Sequence, residues 1–166
     1  MNTLALPELM LVEVNSAIES ESLKAVSRLG IPHRITIRRD GPEALDHLLG
    51  SRDPLPALVI LDHWLPHVDG LDILTQLRLH DRTRRVPVVI FSRTPAESEV
   101  MECYQAGANS YVVKPMDTEA YIDRLAWIAH YWLSVNHPPD LNPGFSVKEP
   151  ASIGGRSRDS LLAGNR

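Results

Sequence analysis

Four residues able to handle a phosphoryl group stand directly behind short apolar runs. Glu13 follows Leu9-Met10-Leu11-Val12, Asp62 follows Ala57-Leu58-Val59-Ile60-Leu61, Ser92 follows Val86 to Phe91, and Lys114 follows Tyr111-Val112-Val113. Each alone is weak: an Asp behind a strand caps helices, a Ser forms turns, and a Lys before a Pro is usually solvated. Their joint placement carries more, because ligands of open parallel sheets bind beyond the carboxyl ends of the strands, where such residues converge on one rim. A carboxylate beside a hydroxyl and an ammonium can accept and hold a phosphoryl group. The carboxylate is the nucleophile, and the hydroxyl and the lysine bond the developing anion.

The elements that must position these residues are legible in the apolar pattern. From Glu8 to about Val135, short apolar runs alternate with longer amphipathic segments, as in a parallel α/β sheet. Asn15 and Ser16 offer capping side chains, Ser16 with Glu19 at capping-box spacing, for a helix reaching about Leu29 before Gly30-Ile31-Pro32. His33 to Arg38 alternates like an edge strand. Gly41-Pro42 opens a second helix that Gly50 closes. Gly70 to about Arg82 predicts a third helix, and Thr94-Pro95-Ala96-Glu97 carries a capping box for a fourth that runs to about Ala106. A last helix begins near Thr118 and ends before His137-Pro138-Pro139. Five strands and five helices in alternation predict a doubly wound five-stranded parallel sheet, for which the flavodoxin-like (βα)5 order is one standard solution.

Composition narrows the class. A chain of 166 residues, 43% hydrophobic and 23% charged, can bury a core without disulfides or a structural metal. Cys103 is the only cysteine, no apolar run approaches the roughly 18 residues of a membrane span, and the first residues lack signal-peptide character. A cytoplasmic protein without membrane contact is expected. Net charge is −4, and the short Arg82, Arg84 and Arg85 cluster reads as a solvated helix end, so nucleic acid is not an expected partner. Residues 140–166, rich in Gly, Ser, Asn and Pro, read as a flexible C-terminal tail behind one domain spanning 1–139.

Three segments together carry a family resemblance. Val59-Ile60-Leu61-Asp62-His63-Trp64-Leu65-Pro66-His67-Val68-Asp69-Gly70 resembles the phosphoacceptor segment of response-regulator receiver domains. Val88-Val89-Ile90-Phe91-Ser92-Arg93 is similar to that family's fourth strand and switch hydroxyl. Ala106 to Pro115 resembles its switch aromatic and its lysine with the following proline. The resemblance implies that Asp62 accepts phosphate from a histidine on a sensor kinase, that Lys114 pairs with the phosphoryl group, and that Ser92 moves to hydrogen-bond it. It further implies that Tyr111 turns inward as the switch residue, that Glu13, Asp62 and the backbone carbonyl of Trp64 hold Mg2+, and that Arg93 screens the site. The protein would transfer phosphate to itself and signal through contacts, without turning over external substrates. The ending His130 to Pro139 resembles single-domain receivers that partner phytochrome-type histidine kinases.

One position departs from the pattern. The family normally has two adjacent acidic residues after the first strand, and here they are Glu13 and Val14. Valine offers no oxygen to a hard cation, so weakened Mg2+ affinity and slow phosphorylation are expected. The departure also leaves open a degenerate receiver that acts as a phosphate-independent interaction module. A cofactor-binding or hydrolytic enzyme on the same sheet would need a phosphate-cradling loop after the first strand, and Val12-Glu13-Val14-Asn15-Ser16 has no glycine. His63 and His67 are expected to line the mouth of the site, since Pro66 prevents the helix that would align them as metal ligands. Cys103 is expected to be a small buried side chain.

The last helix shows two apolar stripes, Tyr121, Leu125, Ile128 and Trp132 on one and Ile122, Ala126, Ala129 and Leu133 on the other, with Trp127 and Tyr131 besides. One stripe suffices to pack on a sheet, so the breadth predicts a second contact surface. The expectation is a symmetric homodimer through Tyr121, Leu125, Ile128 and Trp132 together with the fifth strand.

Overall fold

Successive side chains of a strand point to opposite faces, so a strand that is apolar throughout must be covered on both sides. The computed structural model, which describes residues 6–139 and 141, meets that demand with a single five-stranded parallel sheet in the order β2-β1-β3-β4-β5. The strands are β1 (Glu8–Val12), β2 (Arg34–Arg38), β3 (Leu58–Leu61), β4 (Val88–Ser92) and β5 (Ser110–Val113). Between and after them run α1 (Glu19–Ser27), α2 (Gly41–Leu45), α3 (Gly70–Leu79), α4 (Glu97–Gln105) and α5 (Thr118–His130). The predicted 140–166 tail lies outside the described residues, apart from Leu141.

The sheet splits the core by the strand period. Met10, Val12, Val59, Leu61, Val88 and Ile90 face one side, where α2, α3 and Cys103 of α4 cover them. Leu9, Leu11, Leu58, Ile60, Val89 and Phe91 face the other, under α1 and α5. Phe91 is fully buried, and truncating such a side chain to Ala costs about 3–5 kcal/mol. The order reverses between β1 and β3, which makes the carboxyl ends of these two strands the switch point where a ligand crevice forms.

Several boundaries differ from the sequence expectation, each for a local reason. Asn15, not Ser16, caps the first turn, accepting from the Ala17 N–H at 3.1 Å, and that turn is a 3-10 segment (Ser16–Ile18) ahead of α1. The Thr94 capping box is not made: α4 starts at Glu97, and its N-cap Ala96 supplies no side-chain bond. The second helix changes to a π-helical turn (Asp46–Gly50), and α3 stops at Leu79 rather than Arg82. In the last turn of α3, Arg78 donates to the carbonyls of Gly107 and Val86 and to Asn109 Oδ1 at 2.9–3.0 Å. Asn109 Oδ1 also accepts from the Val88 N–H at 2.8 Å, which ties the starts of β4 and β5 together.

The last helix is the main correction. Tyr121, Leu125 and Ile128 are buried in the chain's own core with Ile122 and Ala129, and Trp132 packs against the same cluster. The spacing 121, 122, 125, 128, 129 is one broad helical face, so the two stripes merge into a single sheet-facing surface. Tyr121, Leu125 and Ile128 are therefore taken up by the chain's own core, and Trp132 is partly buried beside them. The outward face instead presents Trp127, Tyr131 and Val135, which are 67%, 49% and 61% exposed.

Candidate functional site

Asp62 hangs from the end of β3, where its backbone N–H donates to the Val12 carbonyl at 3.0 Å, so the residue is fixed against the end of β1. On β1 the same edge ends in Glu13, whose N–H donates to the Arg38 carbonyl at 2.9 Å. Lys114 follows β5, with its N–H bonded to the Ser92 carbonyl at 2.8 Å. The sheet therefore delivers the three side chains to one place. Lys114 Nζ donates to Asp62 Oδ2 at 2.6 Å and also to Glu13 Oε2. All three are at least nine-tenths buried by residue, a placement that charged side chains adopt only when paired.

The remaining carboxylate oxygens are held by backbone. Asp62 Oδ1 accepts from the Trp64 N–H, and Glu13 Oε1 from the Asn15 N–H, both at 3.1 Å. The loop after Asp62 is clamped to α3: the Gly70 N–H donates to the His63 carbonyl at 2.8 Å. A Cβ on Gly70 would lie 2.3 Å from the Asp62 carbonyl oxygen, so only glycine permits this approach. His67 completes the turn at φ 68°, in the left-handed region.

Ser92 is fully buried, and its Oγ accepts from the Thr94 N–H at 3.4 Å. Tyr111 already turns toward this loop, its hydroxyl donating to the Thr94 carbonyl at 2.5 Å. Burial raises the Tyr111 phenol above its usual pKa, and a hydrogen bond with Ser92 partly offsets the effect. Thr94 is thus the hub that sequence reasoning missed, because its contribution is a carbonyl oxygen, which leaves no trace in residue type. The Lys114 ammonium also lies 5.7 Å from the centre of the Phe91 ring.

Arg93 is exposed and lines an open cleft of about 390 Å³ with Lys114, Asn15, Glu21 and Met116. The rim around the charges is apolar: Val14 is 46% exposed, Trp64 58% and Met116 91%. His67 is exposed as expected, but His63 is not at the mouth. Only 6% of it is accessible, and its ring points under α4 toward Cys103 and Glu99. Cys103 is buried as expected.

The donor set fits a hard divalent cation in part. Two buried carboxylates converge on one ammonium, which leaves one negative charge uncompensated, and oxygen is the donor such ions take. Glu13, Asp62 and the Trp64 carbonyl would hold the ion, with water completing the shell. Among the described residues no group of three or more His, Cys, Asp or Glu side chains is gathered as a metal site.

Comparison with known proteins identifies the family. Residues 10–126 match the model of the response regulator receiver domain. The chain is 37% identical over 134 residues to the probable methanogenesis regulatory protein FilR2 of Methanothrix harundinacea, covering 79% of this chain and 86% of the relative. It is similar to the structure of the phosphorylated cyanobacterial phytochrome response regulator RcpA, with TM-score 0.78 and 28% identity, over 82% of this chain and all of that one. A third match is the Mn(2+)-bound form of response regulator Rcp1, a protein of Synechocystis, with TM-score 0.75 and 26% identity, over 80% and 99% of the two chains.

Proposed function

Because the chain belongs to the response regulator receiver domain family, we propose that Asp62 is its phosphoacceptor and that a sensor histidine kinase is the donor. The observation that carries the reading is the Lys114 ammonium at 2.6 Å from Asp62 Oδ2, in a buried site at the sheet's switch point. In the transfer, an Asp62 carboxylate oxygen attacks the phosphorus of the donor's phosphohistidine. The P–N bond breaks as the P–O bond forms, and the electron pair returns to the imidazole nitrogen. Lys114 is the cation nearest the incoming charge, and preorganised charges of this kind are the main catalytic lever in phosphoryl transfer. A bound Mg2+ would add positive charge against the phosphoryl oxygens. Ser92 then bonds the new phosphoryl group, and Tyr111 reports the change at the surface formed by α4, β5 and α5.

Two finer readings accompany this. The kinase is of the phytochrome type, a reading supported by the likeness to RcpA and to the bacteriophytochrome response regulator RtBRR, which is 32% identical with TM-score 0.62 over 84% of this chain. Such a donor places the protein in the cytoplasm. Output is by protein contact, with a homodimer through the outward face of α5 and the exposed edge at Val113. The test is phosphotransfer from an autophosphorylated phytochrome-type kinase, compared with kinases of other sensor classes. Transfer to the wild type and none to Asp62→Asn is the expected result. Transfer only from other classes would remove the phytochrome assignment and leave the acceptor assignment standing.

A further inference from the structure

Helix α4 is weakly anchored. Of its nine residues only Cys103 is buried, and no side chain caps its start. That single anchor sits on His63, the residue immediately after Asp62: Cys103 Sγ lies 3.7 Å from His63 Nδ1. One turn earlier on the same helix, Glu99 Oε2 lies 3.9 Å from His63 Nε2 and, although buried, accepts no hydrogen bond. The two ring nitrogens of His63 thus face two positions one turn apart on α4, Nδ1 toward Cys103 and Nε2 toward Glu99.

The His63 backbone cannot follow a movement of α4, because its carbonyl is held by the Gly70 N–H and Gly70 fits only as glycine. The ring is therefore the movable link between the acceptor loop and the helix. It rests edge-on against Trp64, with centroids 5.1 Å apart, and the Trp64 N–H is itself bonded to Asp62 Oδ1. We propose that His63 is a positioning residue that latches α4 to the acceptor loop, and that charge arriving on Asp62 opens the latch by repelling the Glu99 carboxylate, whose Oε2 accepts no hydrogen bond.

The inference rests on Asp62 being the acceptor. A phosphoryl group on Asp62 adds about −1.5 to −2 charge at neutral pH, next in sequence to the residue whose ring contacts α4. This is a second route to α4, separate from the Ser92–Thr94–Tyr111 loop, and it acts on the middle of the helix rather than on its start.

The test is amide hydrogen exchange across residues 97–105 of the full chain, with and without acetyl phosphate and magnesium, with Asp62 labelling followed by intact mass. In the wild type, labelling should speed exchange in α4 by about tenfold, within the usual range of coupling between two sites, and leave α1 unchanged. Glu99→Gln keeps the shape and removes the charge, so Asp62 should label normally while the α4 response falls away. His63→Phe should leave α4 fast in both states, and His63→Gln should restore part of the difference. A response of wild-type size in Glu99→Gln and His63→Phe would overturn the latch, as would a labelled wild type with no change in α4. Absence of labelling in the wild type would bring down the acceptor reading and the latch with it.

Discussion

Lys114 holds one positive charge between Glu13 and Asp62, so the site carries one net negative charge before a ligand arrives. Val14 stands next to Glu13 and adds no oxygen to the site. A carboxylate there would give a hard cation another oxygen, and Val14→Asp should tighten Mg2+ binding by roughly tenfold, equivalent to about 1.4 kcal/mol. Titration of tryptophan fluorescence at Trp64 with magnesium checks this, and equal affinity in the two proteins would contradict it. Alkaline stability is also set residue by residue. Burial raises the Cys103 thiol to about 11 and lifts the Tyr111 and Tyr121 phenols above their usual value of 10.0. The unfolded chain ionises at the ordinary values, while the folded chain keeps these protons longer. Their stability contribution is therefore complete below about pH 9 and is lost as pH rises through the raised folded values. Urea denaturation at about pH 8 and about pH 10.5 should show a decline with pH that Cys103→Ala and Tyr121→Phe each reduce.

At the scale of elements, uninterrupted apolar runs located β1, β3 and β4, because a strand buried on both faces leaves that signature, while β2 was legible from its alternation and β5 from the short Tyr111-Val112-Val113 run. Asp62, Ser92 and Lys114 were legible as candidates for the same reason, since each ends such a run. The caps were not legible in detail. Asn15 and Ser16 are both competent, as is Thr94, and the choice depends on backbone geometry that residue type does not encode. On α5 the apolar pattern was visible but its direction was not. Tyr121, Leu125 and Ile128 were expected to face a partner and instead face the sheet, because periodicity shows that residues share a face without showing which face is inward. The link from His63 to Cys103 spans 40 residues and had no local signal. Gly70 offers the sharpest element-scale test. Gly70→Ala would place a methyl 2.3 Å from the Asp62 carbonyl, and overpacking of this kind costs about 1–3 kcal/mol. Displaced loop backbone should also slow acetyl phosphate labelling. A variant with wild-type stability and labelling rate would show that the loop is not held as described.

For the molecule as a whole, the sheet gathers charge at one rim and leaves apolar side chains exposed on a separate face. Trp127 of α5, Tyr131 and Val135 of the π-helical turn that follows it (Tyr131–Val135), and Val113 of β5 are exposed in the single chain. Trp127→Ser should shift sedimentation from dimer to monomer while leaving labelling of Asp62 intact, and a wild type that is monomeric at all concentrations would remove the dimer. The central claim concerns the acceptor, and intact mass after incubation with acetyl phosphate tests it most directly. One phosphoryl adduct that requires magnesium, disappears with chelator and is absent from Asp62→Asn is the predicted result. No adduct under any condition, or an adduct that survives in Asp62→Asn, would contradict the account.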